Sequence, residues 1–596
     1  MKTGKPETRN AWTWIPSLYF AEGLPYILVT SVSGIMYKKL GIPNADITFY
    51  ISLITLTWVI KPLWSPIVDI LKTKRYWIIT AQLIIGLLLL GVTLTISLPH
   101  FFEYTLLFFM LIAFGSATHD IAADGFYMLA LSEKQQSFFV GIRSTFYRIA
   151  LIAGGGLVVI LAGALELSFG LKPVEINVTS NPDKFITGKI DLDSIKITPL
   201  PGEMRIVAKP KNIDLSTKPV TEADAGFVTT FAHNMNVMNK FEEGEKKLNL
   251  NQSEQVTGNV ALVYFHLSKK PEPGVEYNID VSQKSGQGFS IIQGQNFTFT
   301  DQNWNKPAFS VIQIDTTIHN RSQAVFNIGS GNVPIAWVIT FGIVALLFIL
   351  LSIFHRFIFP YPKADKISTS AERDNLLKNF FSSFISFIKK ENFWLTIGFL
   401  LLYRLGEAQL DKIAPLFILD SKASGGLGLS TIDLGFLKGT IGMLALVLGG
   451  ILGGIAVARK GLRYWLWAMI IAINLPDVVY VYLAFFQPSS LVIISICIAI
   501  EQFGYGFGFT AYMMYMIYIS QGEFKTSHYA IATGFMALGL AIPGAFSGML
   551  QTALGYKSFF VWVLIATIPS FLIAKFVHID ALFGIKKNDD VQLEES

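Results

Sequence analysis

Three ionisable side chains, His119, Asp120 and Asp124, stand in the stretch SATHDIAADGF, Ser116 to Phe126. It lies inside an apolar run, roughly Tyr104 to Leu131, that is long enough to cross a bilayer. An ionisable group at that depth costs about a few kcal/mol or more, so it faces a polar cavity or a partner. Asp120 and Asp124 are four residues apart and share one helix face. Carboxylates so placed can carry protons or be fixed as ion pairs by cations on neighbouring helices. His119 can relay a proton or simply hydrogen-bond. A metal role is not expected, because the helix lacks a second histidine.

Other polar residues fall in apolar runs. Glu22 sits beside Gly23 and Pro25, with Tyr19 one turn earlier. Its place early in a span suits a proton carrier or a ligand contact. Glu407 is its counterpart, with Arg404 three residues before it and Asp411 and Lys412 after it. Lys61 precedes Pro62, so its span is expected to kink there; it can neutralise Asp120 or meet an anionic ligand. Arg148, close to Gly154-Gly155-Gly156, is read as the partner of the aspartates or as a fork for a carboxylate. Arg143 is read as an interface anchor. Glu501 and Gln502 lie in a later span, with glycines at 504, 506 and 508 suited to close packing. Asp124→Asn is expected to abolish uphill movement of a solute while sparing the fold.

These residues must be positioned by helices. The chain has 596 residues, 52% hydrophobic and only 15% charged, which excludes a soluble enzyme. The net charge of +5 is too small to argue for nucleic acid. The one cysteine, Cys497, rules out an intramolecular disulfide and a cysteine metal cluster. No cleavable leader is expected, since residues 1–10 are polar and the first apolar run is long enough to remain as a helix. Five spans fill residues 1–167. Residues 168–333 are polar and read as an inserted β-sandwich-like domain: Val275, Tyr277, Ile279 and Val281 alternate, and Phe185–Pro199, Phe289–Thr300 and Ala308–Ile314 read as further strands. A sixth span covers 334–355. A Lys-rich linker, 356–392, is expected to be partly helical near Ala371–Ile388. Six more spans occupy 393–577, and the tail is 578–596. Lys and Arg concentrate in one set of loops, which places those loops and both termini in the cytoplasm and the insertion outside. Arg75-Tyr76-Trp77 and Arg463-Tyr464-Trp465 echo each other, as do the openings of spans one and seven. Six spans followed by six related ones predict a parallel duplication with a site between the halves.

Several pieces carry a family resemblance: LYFAEGLPY (Leu18 to Tyr26), WVIKPLWSPIVD (Trp58 to Asp69), HDIAADGF, FYRIALIAGGG (Phe146 to Gly156), YRLGEA (Tyr403 to Ala408) and LGGILGGI (Leu448 to Ile455). With them the chain resembles the major facilitator superfamily, and within it the AmpG-like muropeptide permeases and the acetyl-coenzyme A transporters. AmpG-like proteins generally have Gln or a similar residue at the position of His119 and lack an insertion of this size. The resemblance implies an all-α, twelve-helix fold, and the insertion then falls between helices 5 and 6. The resemblance implies proton-driven import of cell-wall fragments across a bacterial inner membrane; the Lys and Arg bias then makes the insertion periplasmic. Asp69, Lys74 and Arg75 resemble the superfamily's cytoplasmic loop motif, a conformational latch. A small solute, protons, the bilayer and an exterior partner of the insertion are the expected partners. No nucleotide loop or zinc motif is seen, so neither cofactor, metal nor catalysis is expected. Two alternatives stay open: another anionic solute, such as a CoA-thioester or oligosaccharide, and a membrane-anchored assembly protein acting through the insertion.

Overall fold

The structure is a computed structural model that describes residues 8–584, apart from 185–196, 198, 243–255, 273–275, 287, 368–377, 379–380, 423, 522–524 and 582. The strand expected over Phe185–Pro199 therefore falls almost wholly outside the described residues, as do Val275 and much of the expected linker helix; residues 381–388 are helical. Before the insertion come α1 (Ala11–Lys39), α2 (Asn44–Ile60), α3 (Lys74–Thr95), α4 (Phe101–Ala130) and α5 (Ile142–Ser168). The insertion contains α6 (Glu222–Met238), and α7 (Val333–Ile358) follows it. Then come α8 (Phe393–Leu402), α9 (Leu405–Leu419), α10 (Thr431–Lys460), α11 (Leu462–Phe486), α12 (Leu491–Ile519) and α13 (Lys525–Ala566). Among the described residues, nine helical stretches are long and apolar enough to cross a membrane.

Local chemistry sets where these helices bend. Pro25 lies inside α1, and the chain widens into a π turn at Leu28–Val32 just after it. The run expected as span two breaks at Lys61–Leu63, where Pro62 leaves a 3₁₀ turn. Span seven is two helices, because the chain leaves helical geometry at Arg404 between α8 and α9. Gly555 turns the chain inside α13 with φ of 71°. Ser132 and Gln135 form a capping box at the start of the helix that leads into α5.

Among the described residues the insertion has eleven strands: β1 (Val174–Asn181), β2 (Ile206–Lys209), β3 (Asn212–Ser216), β4 (Val220–Thr221), β5 (Val256–Thr257), β6 (Val260–Leu267), β7 (Tyr277–Ser285), β8 (Phe289–Gln293), β9 (Asn296–Phe299), β10 (Ala308–Ile314) and β11 (Gln323–Gly331). A five-stranded sheet runs β3-β1-β11-β7-β9, a four-stranded one β2-β6-β10-β8, and β4 pairs with β5. The run expected as one strand over Phe289–Thr300 is two strands in different sheets. The chain changes sheet at Gly294, where φ is 72°, a conformation glycine adopts without a Cβ clash. β6 is buried along its whole length. Ala261, Val263, Phe265 and Leu267 join the core between the sheets, while Val260, Leu262 and Tyr264 pack with Ala225 and Ala232 of α6. A strand covered on both faces reads as a continuous apolar run, which is what VALVYFHL is.

His266, also buried on β6, makes that strand acid-sensitive. Its Nδ1 donates to the Leu267 carbonyl at 2.8 Å, and burial holds the imidazole below its usual range. A folded-state pKa below the unfolded one gives stability that is present above about pH 6.5 and lost as pH falls through the folded value. Hydrogen exchange of Val260–Leu267, corrected for intrinsic rates, is expected to quicken below that pH in wild type. In His266→Gln the acid dependence should vanish; its persistence would assign it elsewhere.

On the side of the insertion the two helical halves are in contact. Lys38 pairs with Asp420 at 2.6 Å, and Asn44 Nδ2 donates to Gln551 at 2.9 Å and to Tyr556 at 3.0 Å. Lys39 lies between Glu166 (3.5 Å) and Asp280 of β7 (3.7 Å). The insertion also reaches the later half, where Gln295 Oε1 accepts from the Lys422 N–H at 3.2 Å. Nearer the centre, α5 and α10 cross where each widens into a π turn, Ala153–Val158 and Leu437–Gly442. A Cβ at Gly439 would fall on the Gly155 carbonyl and the Gly156 Cα.

Candidate functional site

A cavity of about 560 Å³ lies between the halves, with Tyr19, Glu22 and Arg148 on one wall and Arg404, Lys438 and Gln502 on the other. Its lining carries five cations, Arg143, Arg148, Arg404, Lys412 and Lys438, against two carboxylates, Glu22 and Asp411. Arg143, Lys412 and Lys438 face Asp124, Asp411 and Glu501, so Arg148 is a lining cation left to attract an anionic solute. The π turn after Pro25 and the break at Arg404 put Glu22 and Arg404 on helices that are bent beside this space.

In the first half the carboxylates are brought together. Lys61 pairs with Asp120. Asp124 pairs with Arg143 at 2.9 Å, and Arg143 Nη1 also donates to the Tyr19 hydroxyl at 3.0 Å. Tyr19 in turn donates to Asp124 at 3.3 Å. The cation on Asp124 is thus Arg143, not Arg148. The two arginines are five residues apart, about 140° around a helix, so they cannot share one partner face. Arg148 lines the cavity and has no ion-pair partner among the described residues. Glu22 is 8% exposed, lies within hydrogen-bond reach of the Asp120 carboxylate and leaves Oε2 without a partner. Two carboxyl groups at that range attract only if one of them holds a proton.

His119 is not part of this group. It sits about 100° around α4 from Asp120, and its Nε2 meets Gln82 at 2.9 Å. Gln82 Oε1 accepts from His355 Nδ1 at 2.8 Å, and His355 Nε2 meets Ser17 at 2.9 Å. All three inner members of this chain are buried. It ties α1, α3, α4 and α7 together through side-chain hydrogen bonds and leaves His119 Nδ1 buried without a partner.

In the second half Arg404 does not pair with Glu407 along the helix. It donates to the Tyr505 hydroxyl at 2.6 Å and stacks on Tyr505 and Phe509 at 5.0 and 5.1 Å. Glu407 is 2% exposed, with Oε2 unpartnered. Glu501 accepts from Gln502 at 2.8 Å and faces Lys438 at 3.7 Å. The Glu501 partners are thus residues of its own half. Lys412 lies 3.9 Å from Asp411 and donates to the Thr30 carbonyl across the cavity at 3.4 Å.

Of the expected latch residues, Lys74 and Arg75 lie at the start of α3. Asp365 accepts from the backbone N–H of Lys74 at 2.7 Å and of Arg75 at 3.0 Å, which caps the helix with a carboxylate. Arg75 donates to the Arg356 carbonyl and stacks on Tyr361 at 3.9 Å. These contacts tie α3 to the segment after α7, within one half. The Asp69 side chain lies outside the described ones. The sequence reading missed Lys438, Asp477, Gln82 and His355, and misjudged Arg143. Lys438 and Asp477 were detectable by the same signal as Asp120, a lone charge in an apolar span.

Against known proteins, the BT1 family matches residues 22–183, which runs from Glu22 through α5 into β1. A protein named as transporter AmpG 2 of Rickettsia typhi is 27% identical over 292 residues, 48% of this chain and 66% of that one. Its namesake in Rickettsia prowazekii is 26% identical, with the same shares. The chain thus spans just under two thirds of the length of these relatives. A bacterial homologue of the human lysosomal transporter Spinster, solved facing inward and unoccupied, covers 95% of this chain and 94% of its own at a TM-score of 0.51 and 13% identity. The chain has the fold of the major facilitator superfamily and, over about half its length, is similar to proteins named as AmpG transporters.

Proposed function

We propose that the chain is a proton-coupled importer of an anionic solute in a bacterial inner membrane, and that the solute is a muropeptide or anhydro-muropeptide. Arg148, which lines the cavity without an ion-pair partner among the described residues, carries the reading. The AmpG name of the relatives supports the solute class. In this reading the chain crosses the membrane twelve times. Besides the nine long stretches, α2 crosses, α8 and α9 cross together, and α13 and the helix after Gly555 count as two. The termini are cytoplasmic and the insertion periplasmic, following the Lys and Arg bias. Glu22 handles the proton beside the Lys61–Asp120 and Arg143–Asp124 pairs, while Arg148 and Arg404 hold the solute's anionic part. The contacts between Lys38 and Asp420 and around Asn44 then close the periplasmic face.

Uptake of labelled GlcNAc-anhydro-MurNAc into proteoliposomes under an imposed proton gradient tests this. Uphill uptake is expected, and a protonophore should collapse it. Arg148→Ala should raise KM with little change in kcat. A charge-assisted contact is worth about 1.5–3 kcal/mol, hence roughly ten- to a hundredfold. Accumulation indifferent to the protonophore would sink the coupling. A CoA-thioester taken up in place of the muropeptide would replace the solute but keep the site.

A further inference from the structure

The second half holds three carboxylates that are almost fully buried: Glu407 at 2% exposed, Asp477 at 1% and Glu501 at 1%. Asp477 comes from the 3₁₀ turn Leu475–Asp477 that interrupts α11 after Pro476. Both of its carboxylate oxygens are buried without a hydrogen-bond partner, as is Glu407 Oε2. The charged groups facing Asp477 are Glu501 of α12 and Lys438 of α10. Those facing Glu407 are Glu501, Asp477, Arg404 and Asp411. Asp411 is matched by Lys412 and leaves the count. Lys438 is engaged by Glu501 and Tyr480, and Arg404 by Tyr505. Two cations therefore meet three carboxylates. An ionised carboxylate left over in a dry interior is too costly to persist, so it takes a proton. Among the described residues no three His, Cys, Asp or Glu side chains are grouped to hold a metal ion. In the first half Lys61 and Arg143 pair with Asp120 and Asp124, and Glu22 has no ion pair among the described residues.

We infer that the second half binds a proton of its own, at Asp477 within the Glu407–Asp477–Glu501 cluster, so that the carrier holds one exchangeable proton in each half. The use of this proton in transport rests on the proton-coupled reading above; the site itself rests on the charge count in the second half. The proton passes from hydronium to an Asp477 oxygen, one O–H bond of hydronium breaking as the Asp477 O–H bond forms, and it returns to water by the reverse exchange.

Infrared spectroscopy of the purified full chain in lipid, titrated with acid and base in H₂O and D₂O, tests it without any solute. The reading is the carbonyl band of protonated carboxylic acids. Wild type is expected to show two such bands that shift on deuteration and titrate away in base. Asp477→Asn should remove one, Glu22→Gln the other, and the double variant both. Glu407→Gln should keep both bands while moving the pH at which the second-half band titrates, a check available if Asp477→Asn fails to fold. Two unchanged bands in Asp477→Asn, a second-half band that never exchanges, or one that appears only when sodium is withdrawn would overturn the site. If Asp477→Asn removes a band and Glu22→Gln removes none, the coupling role of Glu22 fails and this site stands.

Discussion

Glu22→Gln should yield a carrier that still exchanges its solute but no longer concentrates it. The amide keeps the size of the carboxyl group and presents a permanent donor to Asp120, so it copies the protonated state and cannot leave it. Glu22 is the carboxyl group with no cation of its own: Asp120 has Lys61 and Asp124 has Arg143. Its charge alone must be cancelled by a proton before a closed, dry cavity can form. The steady-state ratio of inside to outside solute under an imposed proton gradient is expected to fall to about one, while counterflow in the absence of a gradient persists. A variant that accumulates like wild type would remove Glu22 from coupling. Asp124→Asn is expected to behave differently. Its carboxylate is 45% exposed and salt-bridged, so the change frees Arg143 and Tyr19 instead of fixing a proton. Losing a charge-assisted bond costs about 1.5–3 kcal/mol, felt first in solute affinity. The coupling role that the sequence reading placed on Asp124 is therefore better carried by Glu22.

Hydropathy and pattern disclosed what depends on one face at a time. A helix that meets lipid must be apolar over some 20 residues, so the spans and the charges stranded in them stood out in the sequence. Tyr277, Ile279 and Val281 alternate on β7 because that strand is buried on one face. β6 escaped the same test because α6 covers its second face. α6 itself is announced by Thr221, whose side chain caps the Asp224 N–H, but TEADAGFVTTFAHNMN mixes polar and apolar residues too evenly to show a period. Partners were harder to read, since a pairing depends on how each helix is rotated about its axis. Arg143 and Arg148, or His119 and Asp120, lie close in sequence and point to different neighbours. The sequence alone has no term for that rotation; the packing around Tyr19 and Gln82 sets it.

Gly439→Leu should prevent closure of the face that carries the insertion. At the crossing of α5 and α10 the backbones of Gly155, Gly156 and Gly439 touch, and each helix is locally widened to allow it. No side chain fits there, and the atoms it would meet are backbone that cannot swing aside. Overpacking costs about 1–3 kcal/mol in ordinary cores, which is roughly a 5–150-fold shift between two states. Only the state in which the helices cross closely bears this cost, so the equilibrium moves toward the state in which they part. The shift can be read at Lys38 and Asp420, which meet at the same face. With Cys497 replaced, the Lys38→Cys/Asp420→Cys pair should cross-link readily in the Gly439 background and at least fivefold more slowly with Gly439→Leu. Uptake should fall in parallel, because a carrier that cannot close one face cannot complete a cycle. Gly439→Ala adds only the Cβ and should give an intermediate rate. Equal cross-linking in all three backgrounds would show that the crossing opens and closes independently of the outer contacts, and that the two halves do not move as rigid bodies.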